Sequence, residues 1–502
     1  MPEDVILVID QGTTGTAAFL FDGRGQVVAT ADQELPQYFP HAGWVSHDAN
    51  EIWASVLAVT ADVLAQGGAT VRPVAIGITN QRETTVVWER ATGEPIDKAV
   101  VWQCRRTARL CEELRSRGLQ DDIQRRTGLI IDAYFSGTKI RWLLDHAQDG
   151  HLRARDGALA AGTIDSWLIS RLTGGRLHVT DMTNASRTML YNIHERQWDA
   201  TLCAEIGVPQ SMLPVVQPSR SDFGETDPAS FHGLRLPILG VAGDQQAALF
   251  GQACYEPGMA KNTYGTGCFL LVQTGQEPVR SGHQLLTTLA CGPDALPSYA
   301  LEGSVFVTGA AIQWLRDGLG IIHQAAETDA LAASVPDTGG LSFVPAFVGL
   351  AAPSWDMYAR GTMVGITRGT TRAHIVRATL EAIAFQTRDL VTAMTADGAS
   401  FRTLRVDGGG SVNNFLMQFQ ADILGVPVER CAVNETTALG VAYLAGLGAG
   451  LWRYTEEIAR DWRTSARYDP SMSRDEREQL YVTWRRAVAR ARGWAVPEAS
   501  PR

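Results

Sequence analysis

The chain is organised around its first turn, which lies in the stretch Val5-Ile6-Leu7-Val8-Ile9-Asp10-Gln11-Gly12-Thr13-Thr14-Gly15-Thr16. Its run of aliphatic, mostly β-branched residues predicts a buried strand that ends on the carboxylate of Asp10. A small Gly/Thr turn follows, and the apolar run 17–21 predicts a second strand. Strand, small polar turn and strand together indicate a hairpin.

The tip of this hairpin offers backbone N–H groups and threonine hydroxyls with little side-chain bulk, which suits the close approach of phosphate oxygens. Asp10 lies beside the tip, where a carboxylate can hold the divalent cation that neutralises those oxygens. An ordinary Gly/Thr hairpin with a solvated aspartate fits the same residues, because Gly-rich turns are common. Taken alone, the stretch leaves both interpretations open.

Length and composition narrow the class of protein. A chain of 502 residues is too long for one core, so we expect two or three domains. The 45% apolar and 20% charged residues are typical of a soluble globular protein. A net charge of −10, without a basic run, argues against a nucleic-acid partner. No lysine lies in a GxxxxGK[ST] setting, so any nucleotide is held without a Walker-type loop.

The cysteines and the apolar segments indicate a cytoplasmic protein. The 7 cysteines are scattered and form no CxxC pair, so we expect reduced thiols rather than a disulfide framework or a zinc site. The opening residues Met-Pro-Glu-Asp do not form a signal sequence. The most apolar later stretch, 343–353, is short and carries prolines, so we expect no membrane span.

Further strands deliver polar residues at their ends. Asp48 and Glu51 predict a capping box for a helix that follows the first strands. The run 74–80 predicts a strand covered on both faces, and it leads directly into Gln81-Arg82-Glu83. A strand pair, 85–89 and 99–102, follows.

The second half of the chain repeats the opening plan. The strand 239–244 ends on Asp244 and runs into a helix, and 260–271 again reads as strand, Gly/Thr tip and strand. The strand 404–407 leads into a glycine-rich turn and a helix that Ser411 can cap, aiming N–H groups at an anion or nucleotide. We therefore expect a duplicated α/β unit, divided near residue 250, with the active site in the cleft.

In this order the motifs resemble those of the FGGY carbohydrate kinases, which belong to the actin-like ATPase superfamily. Besides the hairpin, the resemblance is carried by Asn80-Gln81-Arg82-Glu83, Tyr134-Phe135-Ser136-Gly137-Thr138-Lys139-Ile140-Arg141-Trp142, Gly243-Asp244-Gln245, Gly265-Thr266-Gly267, the segment 361–381 and Asp407-Gly408-Gly409. The segments 101–107 and 183–188 are similar to those of members that act on glycerol. The resemblance extends from about Val5 to the helix near Trp494.

The resemblance implies an α/β fold of two actin-like, ribonuclease H-like domains with mixed sheets and the active site in the cleft between them. Residues 1–250 would form the N-terminal FGGY domain, with the polyol site, the catalytic base and the first phosphate hairpin. Residues 251–502 would form the C-terminal, nucleotide-binding domain. The charged end of the chain, from about 471, would be helical, with a frayed terminus at 497–502.

The family chemistry implies transfer of the γ-phosphoryl group of ATP to glycerol, giving sn-glycerol 3-phosphate and ADP. Asp244 would be the general base that accepts the proton of the attacking hydroxyl. Without the resemblance, an aspartate at this position fits equally well as the cap of the helix that begins at Gln245. The substrate-binding residues would be Arg82, Glu83, Tyr134, Asp244 and Gln245, with Trp102 and Phe269 against the carbon atoms. Without the resemblance, a solvated ion pair at Arg82–Glu83 and core packing of the two aromatic residues would be the default interpretations.

The nucleotide-binding residues implied by the resemblance lie in both halves: Thr13, Thr14, Gly15, Gly265, Thr266, Gly309, Gln313, Gly409 and Asn413. Asp10 would hold Mg²⁺, through water. Members that act on glycerol commonly carry an arginine where this chain has Ala17, so one phosphate contact is missing here or comes from elsewhere.

The sequence leaves two rival functions open. The first is an FGGY kinase that acts on another polyol or a ketose, and the second is a non-enzymatic actin-like ATPase that uses nucleotide to switch conformation. The complete polyol-binding set argues against the second. Homo-dimers or homo-tetramers are usual in the family, and we expect one of them here.

Overall fold

The computed structural model describes residues 2–293 and 296–495. The strands of the N-terminal half are β1 (Glu3–Gln11), β2 (Gly15–Phe21), β3 (Val27–Glu34), β4 (Ser46–His47), β5 (Val71–Asn80), β6 (Thr85–Glu89), β7 (Ala99–Val100), β8 (Leu159–Thr163), β9 (Val179–Asp181), β10 (Tyr191–Asn192), β11 (Gln197–Trp198), β12 (Val215–Gln217) and β13 (Ile238–Gly243). Its helices are α1 (Ala49–Gly67), α2 (Ala108–Ser116), α3 (Gln120–Thr127), α4 (Ser136–His146), α5 (Gly150–Arg155), α6 (Ile164–Leu172), α7 (Met182–Ala185), α8 (Ala200–Ile206) and α9 (Asp244–Gly251).

The C-terminal half follows the same alternation of strands and helices. Its strands are β14 (Ala260–Tyr264), β15 (Cys268–Gly275), β16 (Leu286–Cys291), β17 (Pro297–Val305), β18 (Ser342–Val344), β19 (Thr362–Val364), β20 (Leu404–Asp407), β21 (Val428–Cys431) and β22 (Thr464–Tyr468). Its helices are α10 (Gly309–Gln313), α11 (Glu327–Ala333), α12 (Arg372–Ala396), α13 (Asn414–Leu424), α14 (Thr436–Ala449), α15 (Thr455–Asp461) and α16 (Arg474–Ala491).

The opening stretch forms the predicted hairpin at the centre of a five-stranded sheet of order β13-β5-β1-β2-β3. β1 pairs antiparallel with β2 and parallel with β5, which in turn pairs parallel with β13. Alternate residues of β1 enter different cores: Leu7 and Ile9 pack with helix α1, whereas Ile6 and Val8 pack with helix α14. The continuous apolar run of β1 therefore reflects a sheet that is covered on both faces.

The second sheet repeats the plan of the first and confirms the expected duplicated α/β fold. It has seven strands in the order β16-β17-β15-β14-β20-β21-β22. The hairpin β14–β15 corresponds to β1–β2, and β20 and β21 add to it in parallel, as β5 and β13 do in the first sheet. The carboxyl ends of the corresponding parallel strands thus point toward the space between the two halves.

Helix α14 lies in the C-terminal half of the sequence but packs on the first sheet, where it also crosses α9. Glycines permit this crossing. A β-carbon on Gly440 would lie 1.9 Å from the carbonyl oxygen of Ala247, and one on Gly251 would lie 2.0 Å from that of Thr436. The two halves are therefore joined by a helix pair with backbones in close contact.

Two predicted helix caps are wrong in detail. Asp48 does cap α1 by accepting the N–H of Asn50, but Glu51 accepts the hydroxyl of Tyr38 at 2.7 Å and completes no capping box. A short helical turn at 409–412 separates Ser411 from α13, so Asn413 is the cap and Ser411 donates to the carbonyl of Gly408. The predicted strand 99–102 ends at Val100.

Among the described residues, one helix, Ala49–Thr70, is long and apolar enough to cross a membrane. It contains α1, whose residues Ile52, Val56 and Val59 pack into the core on the first sheet. Its length and apolar composition are therefore those of a buried core helix. All 7 cysteines are buried and free. The expected frayed terminus, 497–502, lies outside the described residues.

Candidate active site

The first hairpin tip presents an open backbone. The N–H of Gly12 donates to the carbonyl of Gly15 at 2.9 Å, which closes the turn and leaves Thr13 half-buried and Thr14 exposed. A β-carbon on Gly15 would lie 2.8 Å from the carbonyl oxygen of Gln33, so the neighbouring strand β3 requires glycine there. The tip can therefore receive a ligand on its exposed side.

Asp10 lies at the base of this tip in an electronegative crevice. Burial, together with the charges of Asp244 and Glu435, raises the pKa of its carboxyl to about 7. Asp244 starts α9 and Glu435 precedes α14, so acidic groups from three segments face one space.

This crevice suits a magnesium ion that is shared with phosphates. Within 2–293 and 296–495, no cluster of three or more His, Cys, Asp or Glu side chains could hold a metal by itself. Mg²⁺ commonly takes one or two carboxylates and fills its remaining positions with water and substrate phosphate oxygens. The single carboxylate of Asp10 fits such an ion, and binding of the cation would offset the repulsion among the acidic groups.

Arg82 is the centre of the predicted polyol-binding set, and it is almost fully buried. Its Nη1 and Nη2 donate to the two carboxylate oxygens of Glu302 at 2.5 and 2.9 Å. Nη2 also donates to the hydroxyl of Tyr134 at 3.2 Å, and Nε lies 3.2 Å from Oδ1 of Asp244. These carboxylates raise the pKa of Arg82 well above its ordinary value, so the guanidinium stays charged.

Glu83 is fixed from two sides. Its Oε1 accepts from Nε of Arg187 at 2.8 Å and lies 3.6 Å from Nε of Arg82. Its backbone carbonyl accepts from the ammonium of Lys139 at 2.9 Å and from the hydroxyl of Ser136 at 3.1 Å. Burial lowers the pKa of Lys139 to about 7. The ion pair Arg82–Glu83 is thus buried, and the solvated-pair interpretation does not hold.

Three aromatic rings form one wall beside these charges. Trp102 meets Tyr134 edge-on, with ring centres 5.6 Å apart, and Phe269 with ring centres 6.3 Å apart. Phe269 comes from β15 of the second sheet, and the guanidinium carbon of Arg82 lies 5.8 Å from its ring centre. A small polyol placed here would meet apolar rings on one side and charged donors and acceptors on the other.

Asp244 is the first residue of α9 and remains accessible, with 32% of its side chain exposed. Gly243 precedes it, and a β-carbon there would lie 2.6 Å from Cγ of Arg82. Oδ1 accepts the N–H of Gln245 at 2.7 Å and faces Arg82, whereas Oδ2 has no hydrogen-bond partner among the described residues. Burial raises the pKa of Asp244, and the nearby Arg82 opposes this rise. One oxygen is therefore anchored and the other is available to accept a proton.

Gln245 is buried and connects the first half to β14. Its side-chain carbonyl accepts from the ammonium of Lys261 at 2.5 Å. Burial lowers the pKa of Lys261 to about 8. The amide group of Gln245 therefore has a fixed orientation next to Asp244.

The second Gly/Thr tip is supported from beneath by the start of α10. The N–H of Gly309 donates to the carbonyl of Gly265 at 3.1 Å, and the hydroxyl of Thr308 donates to the carbonyls of Gly265 and Thr266. A β-carbon on Gly309 would lie 2.6 Å from that Gly265 oxygen. Gly309 is thus required for packing, whereas Gln313, at the end of α10, is exposed.

The glycine-rich turn after β20 is open at Gly409, where an added β-carbon would meet no atom within 4 Å. Gly408 has φ 80° and passes close to the backbone of Tyr264. Asn413 is less available, because its Oδ1 accepts the N–H of Leu416 and its Nδ2 donates to Thr328. A nucleotide contact by this amide would need one of these bonds to change.

The structure therefore brings the predicted polyol set together. The predicted nucleotide residues lie in four places, namely the turns after β1 and β14, helix α10, and the segment that follows β20. Sequence reasoning missed Glu302, Arg187, Lys139 and Lys261, which bind the polyol set from behind. One signal was present for Glu302, which is the one charged residue of the fully buried strand β17.

A cavity of about 1280 Å³ lies between the halves and reaches the ring of Trp102. Its walls include Arg105 and Asp132 from the first half and Phe306 and Trp355 from the second. Arg105 donates to Asp132 at 2.6 Å, and the same oxygen of Asp132 accepts the N–H of Tyr134. Open space thus extends from the surface to the aromatic wall.

Comparisons with known proteins show which family this chain resembles. Residues 5–251 match the N-terminal domain, and residues 260–449 the C-terminal domain, of the FGGY family of carbohydrate kinases. A glycerol kinase of Petrotoga mobilis is 59% identical over 494 residues, covering 98% of this chain and 99% of the relative. Glycerol kinase 2 of Thermotoga maritima is 58% identical over 491 residues, covering 97% and 99%. The crystal structure of Plasmodium falciparum glycerol kinase with ADP superimposes with a TM-score of 0.90 at 38% identity, covering 98% of both chains.

Proposed function

We propose that this chain, which belongs to the FGGY family of carbohydrate kinases, is an ATP:glycerol 3-phosphotransferase. It transfers the γ-phosphoryl group of ATP to a primary hydroxyl of glycerol, and the products are sn-glycerol 3-phosphate and ADP. The observation that carries this proposal is the convergence of Arg82, Glu83, Tyr134 and Asp244 on one side of a small site that aromatic rings close on the other.

The polyol site supplies orientation and proton transfer. Arg82 and Glu83 bind two hydroxyls of glycerol, with Tyr134 and Gln245 completing the polar set. Trp102 and Phe269 contact the carbon atoms. A buried site of this kind rejects analogues that lack a hydroxyl, because its own polar groups would be left unpaired.

Asp244 acts as the general base. Its Oδ1 is held by Arg82 and by the N–H of Gln245, so Oδ2 is the atom that accepts the proton as the hydroxyl oxygen attacks the γ-phosphorus. The bond from the γ-phosphorus to the bridging oxygen breaks at the same time, and ADP leaves with its electron pair. The proton on Asp244 then passes to solvent.

The nucleotide occupies the turns on the other side of the cleft. Thr13, Thr14 and Gly15 from the first half, with Gly265 and Thr266 from the second, surround the phosphates through backbone N–H groups and hydroxyls. Gly409 and Asn413 lie beside the adenosine, with Gly309 and Gln313 as further contacts. Mg²⁺ held by Asp10, through water, neutralises phosphate charge when bound.

The chain divides into a polyol-binding domain at 1–250 and a nucleotide-binding domain at 251–502. The enzyme is cytoplasmic and forms a homo-dimer or homo-tetramer, has no nucleic-acid or membrane partner, and brings glycerol into central metabolism. Closure of the halves over both substrates excludes water and limits ATP hydrolysis without glycerol.

The deciding experiment mixes the purified protein with Mg-ATP and glycerol and follows ADP release and the phosphate ester by ³¹P NMR. Parallel reactions contain xylulose, ribulose or no acceptor. We expect glycerol to give the highest kcat/KM and a 3-phosphate ester. A higher kcat/KM with a ketose would favour another kinase of the family, and ATP turnover that is independent of every acceptor would favour a conformational ATPase.

A further inference from the structure

Four buried side chains form a closed ring of ion pairs behind the polyol site. Arg82 donates to both carboxylate oxygens of Glu302, at 2.5 and 2.9 Å. Arg187 donates to Oε1 of the same Glu302 at 3.0 Å and to Oε1 of Glu83 at 2.8 Å. Arg82 and Glu83 close the ring at 3.6 Å. The side chains of all four are at most 3% exposed.

This ring is electrically balanced, with two guanidinium groups and two carboxylates. Balance matters because a buried charge without a partner is strongly destabilising. The pKa of Glu302 is lowered to about 2 by Arg187 and Arg82, against the opposing effect of burial, so this carboxylate stays ionised. Glu302 therefore keeps its negative charge near neutral pH, where the guanidinium groups of Arg82 and Arg187 are charged as well.

The ring also crosses between the two halves. Glu302 lies on β17 of the second sheet, whereas Arg82 and Glu83 follow β5 and Arg187 follows α7 in the first half. The guanidinium carbon of Arg187 lies 5.7 Å from the ring centre of Tyr134 and 5.4 Å from that of Phe135, so aromatic rings fix it as well. Neither Arg187 nor Glu302 belongs to the set that would touch glycerol.

Glu302 controls which groups of Arg82 remain free. Because Glu302 takes both terminal nitrogens of Arg82, only Nε faces Asp244, at 3.2 Å. Without Glu302, the terminal nitrogens of Arg82 would lose both carboxylate bonds, and the neighbouring carboxylates would be those of Asp244 and Glu83, at 3.2 and 3.6 Å from Nε. Arg187 acts in the same way on Glu83, whose Oε1 it occupies while Oε2 stays available.

We propose that Glu302 and Arg187 are positioning residues, which set the affinity for glycerol by holding Arg82 and Glu83 in their binding orientation. This inference rests on the proposed function of Arg82 and Glu83 as polyol ligands. Its consequence is that a carboxylate from the nucleotide-binding half determines the geometry of the polyol site.

The test compares Glu302→Gln and Glu302→Asp with the wild-type enzyme, and Arg187→Lys as the reciprocal change. Because hydrogen bonds to charged groups are worth about 1.5–3 kcal/mol, we expect Glu302→Gln to raise the glycerol KM by about 10- to 100-fold. The KM for ATP and the slow ATP hydrolysis without glycerol should stay within about twofold. Glu302→Asp, which keeps the charge, should recover part of the affinity. Asp389→Asn is the control, since Asp389 is a carboxylate bound by Tyr481 and Trp484 outside the site.

Calorimetric titration of glycerol without nucleotide measures the same affinity without turnover, so a slow variant remains informative. If Glu302→Gln raises both KM values equally, or leaves the glycerol affinity unchanged, the positioning role is wrong. If Glu302→Gln does not fold, Glu302→Asp and Arg187→Lys decide by the same criterion. If the wild-type enzyme prefers another acceptor, the proposed function fails. The positioning role is then tested by measuring whether Glu302→Gln raises the KM for that acceptor without changing the KM for ATP.

Discussion

The indole Nε1 of Trp102 donates a hydrogen bond to the hydroxyl of Thr13 at 2.8 Å. Trp102 follows β7 and forms the aromatic wall of the polyol site, whereas Thr13 lies at the tip of the phosphate hairpin. One side-chain contact thus links the two proposed substrate sites. We expect the position of the hairpin tip to depend on this indole.

Trp102→Phe keeps an apolar ring but removes the donor to Thr13. A net hydrogen bond contributes about 0.5–1.5 kcal/mol, so we expect kcat/KM for ATP to fall by roughly two- to twelvefold. Steady-state kinetics with varied ATP at saturating glycerol measure the change. In a double-mutant cycle with Thr13→Ala, the two losses should be less than additive, because both substitutions remove the same bond, although Thr13→Ala also removes a hydroxyl proposed to bind phosphate. Fully additive losses would show that this contact does not couple the sites.

Asp244→Asn removes the proton acceptor but keeps the shape of the side chain and its place at the start of α9. General base catalysis contributes about 10²- to 10⁴-fold, so we expect kcat to fall by that factor while glycerol still binds. Rapid-quench kinetics and calorimetric titration separate the two effects. Asp199→Asn is a matched control, because Asp199 caps α8 without touching the site. Near wild-type turnover by Asp244→Asn would exclude Asp244 as the base.

The rate should depend on pH through Asp10 and Asp244. Burial raises the pKa of Asp10 to about 7 and also raises that of Asp244. Both groups are proposed to act as carboxylates, so kcat/KM should fall as the pH drops through about 7, where Asp10 becomes protonated, and through the raised pKa of Asp244. Glu435→Gln removes one charge that raises the pKa of Asp10, and the acid limb should therefore move to lower pH. Glu456→Gln changes an exposed glutamate and is the control, so it should leave the acid limb in place. An acid limb that also stays in place in Glu435→Gln would contradict this assignment.

Ala17→Arg should improve nucleotide binding. Residue 17 lies directly opposite Asp10 in the pairing of β1 with β2, so its side chain points to the same face of the sheet. A guanidinium there would lower the pKa of Asp10 and offer the phosphates a charged donor. We expect the KM for ATP to fall by roughly three- to tenfold. Ala17→Gln, which is polar but shorter and uncharged, should have a smaller effect, and an equal effect would refute the electrostatic explanation.

Gly440→Ala should destabilise the protein although it lies inside a helix. Alanine favours a helix over glycine by about 1 kcal/mol. Here its methyl group would lie 1.9 Å from the carbonyl oxygen of Ala247, and overpacking typically costs about 1–3 kcal/mol or more. We therefore expect a lower Tm by differential scanning calorimetry. Gly23→Ala, where the new methyl group meets no atom within 4 Å, is the control and should leave Tm nearly unchanged.

Much of the fold follows from local patterns. The two Gly/Thr hairpins, the strand that leads into Arg82 and the helix that starts at Asp244 are all readable, because strand period, turn residues and strand ends are properties of consecutive residues. The caps were less certain. Glu51 has a suitable helix start beside it in the sequence, but it accepts a hydrogen bond from Tyr38 instead. Ser411 is separated from its helix by a short helical turn.

Short stretches of the chain predict the order of the motifs and the residue types that reach the cleft. The residues behind them are set by the packing of the whole fold. Arg82 and Glu302 are separated by 220 residues, and α14 covers a sheet that begins more than four hundred residues earlier. Contacts of this kind depend on how two sheets pack against each other, and no local pattern of side chains encodes that packing.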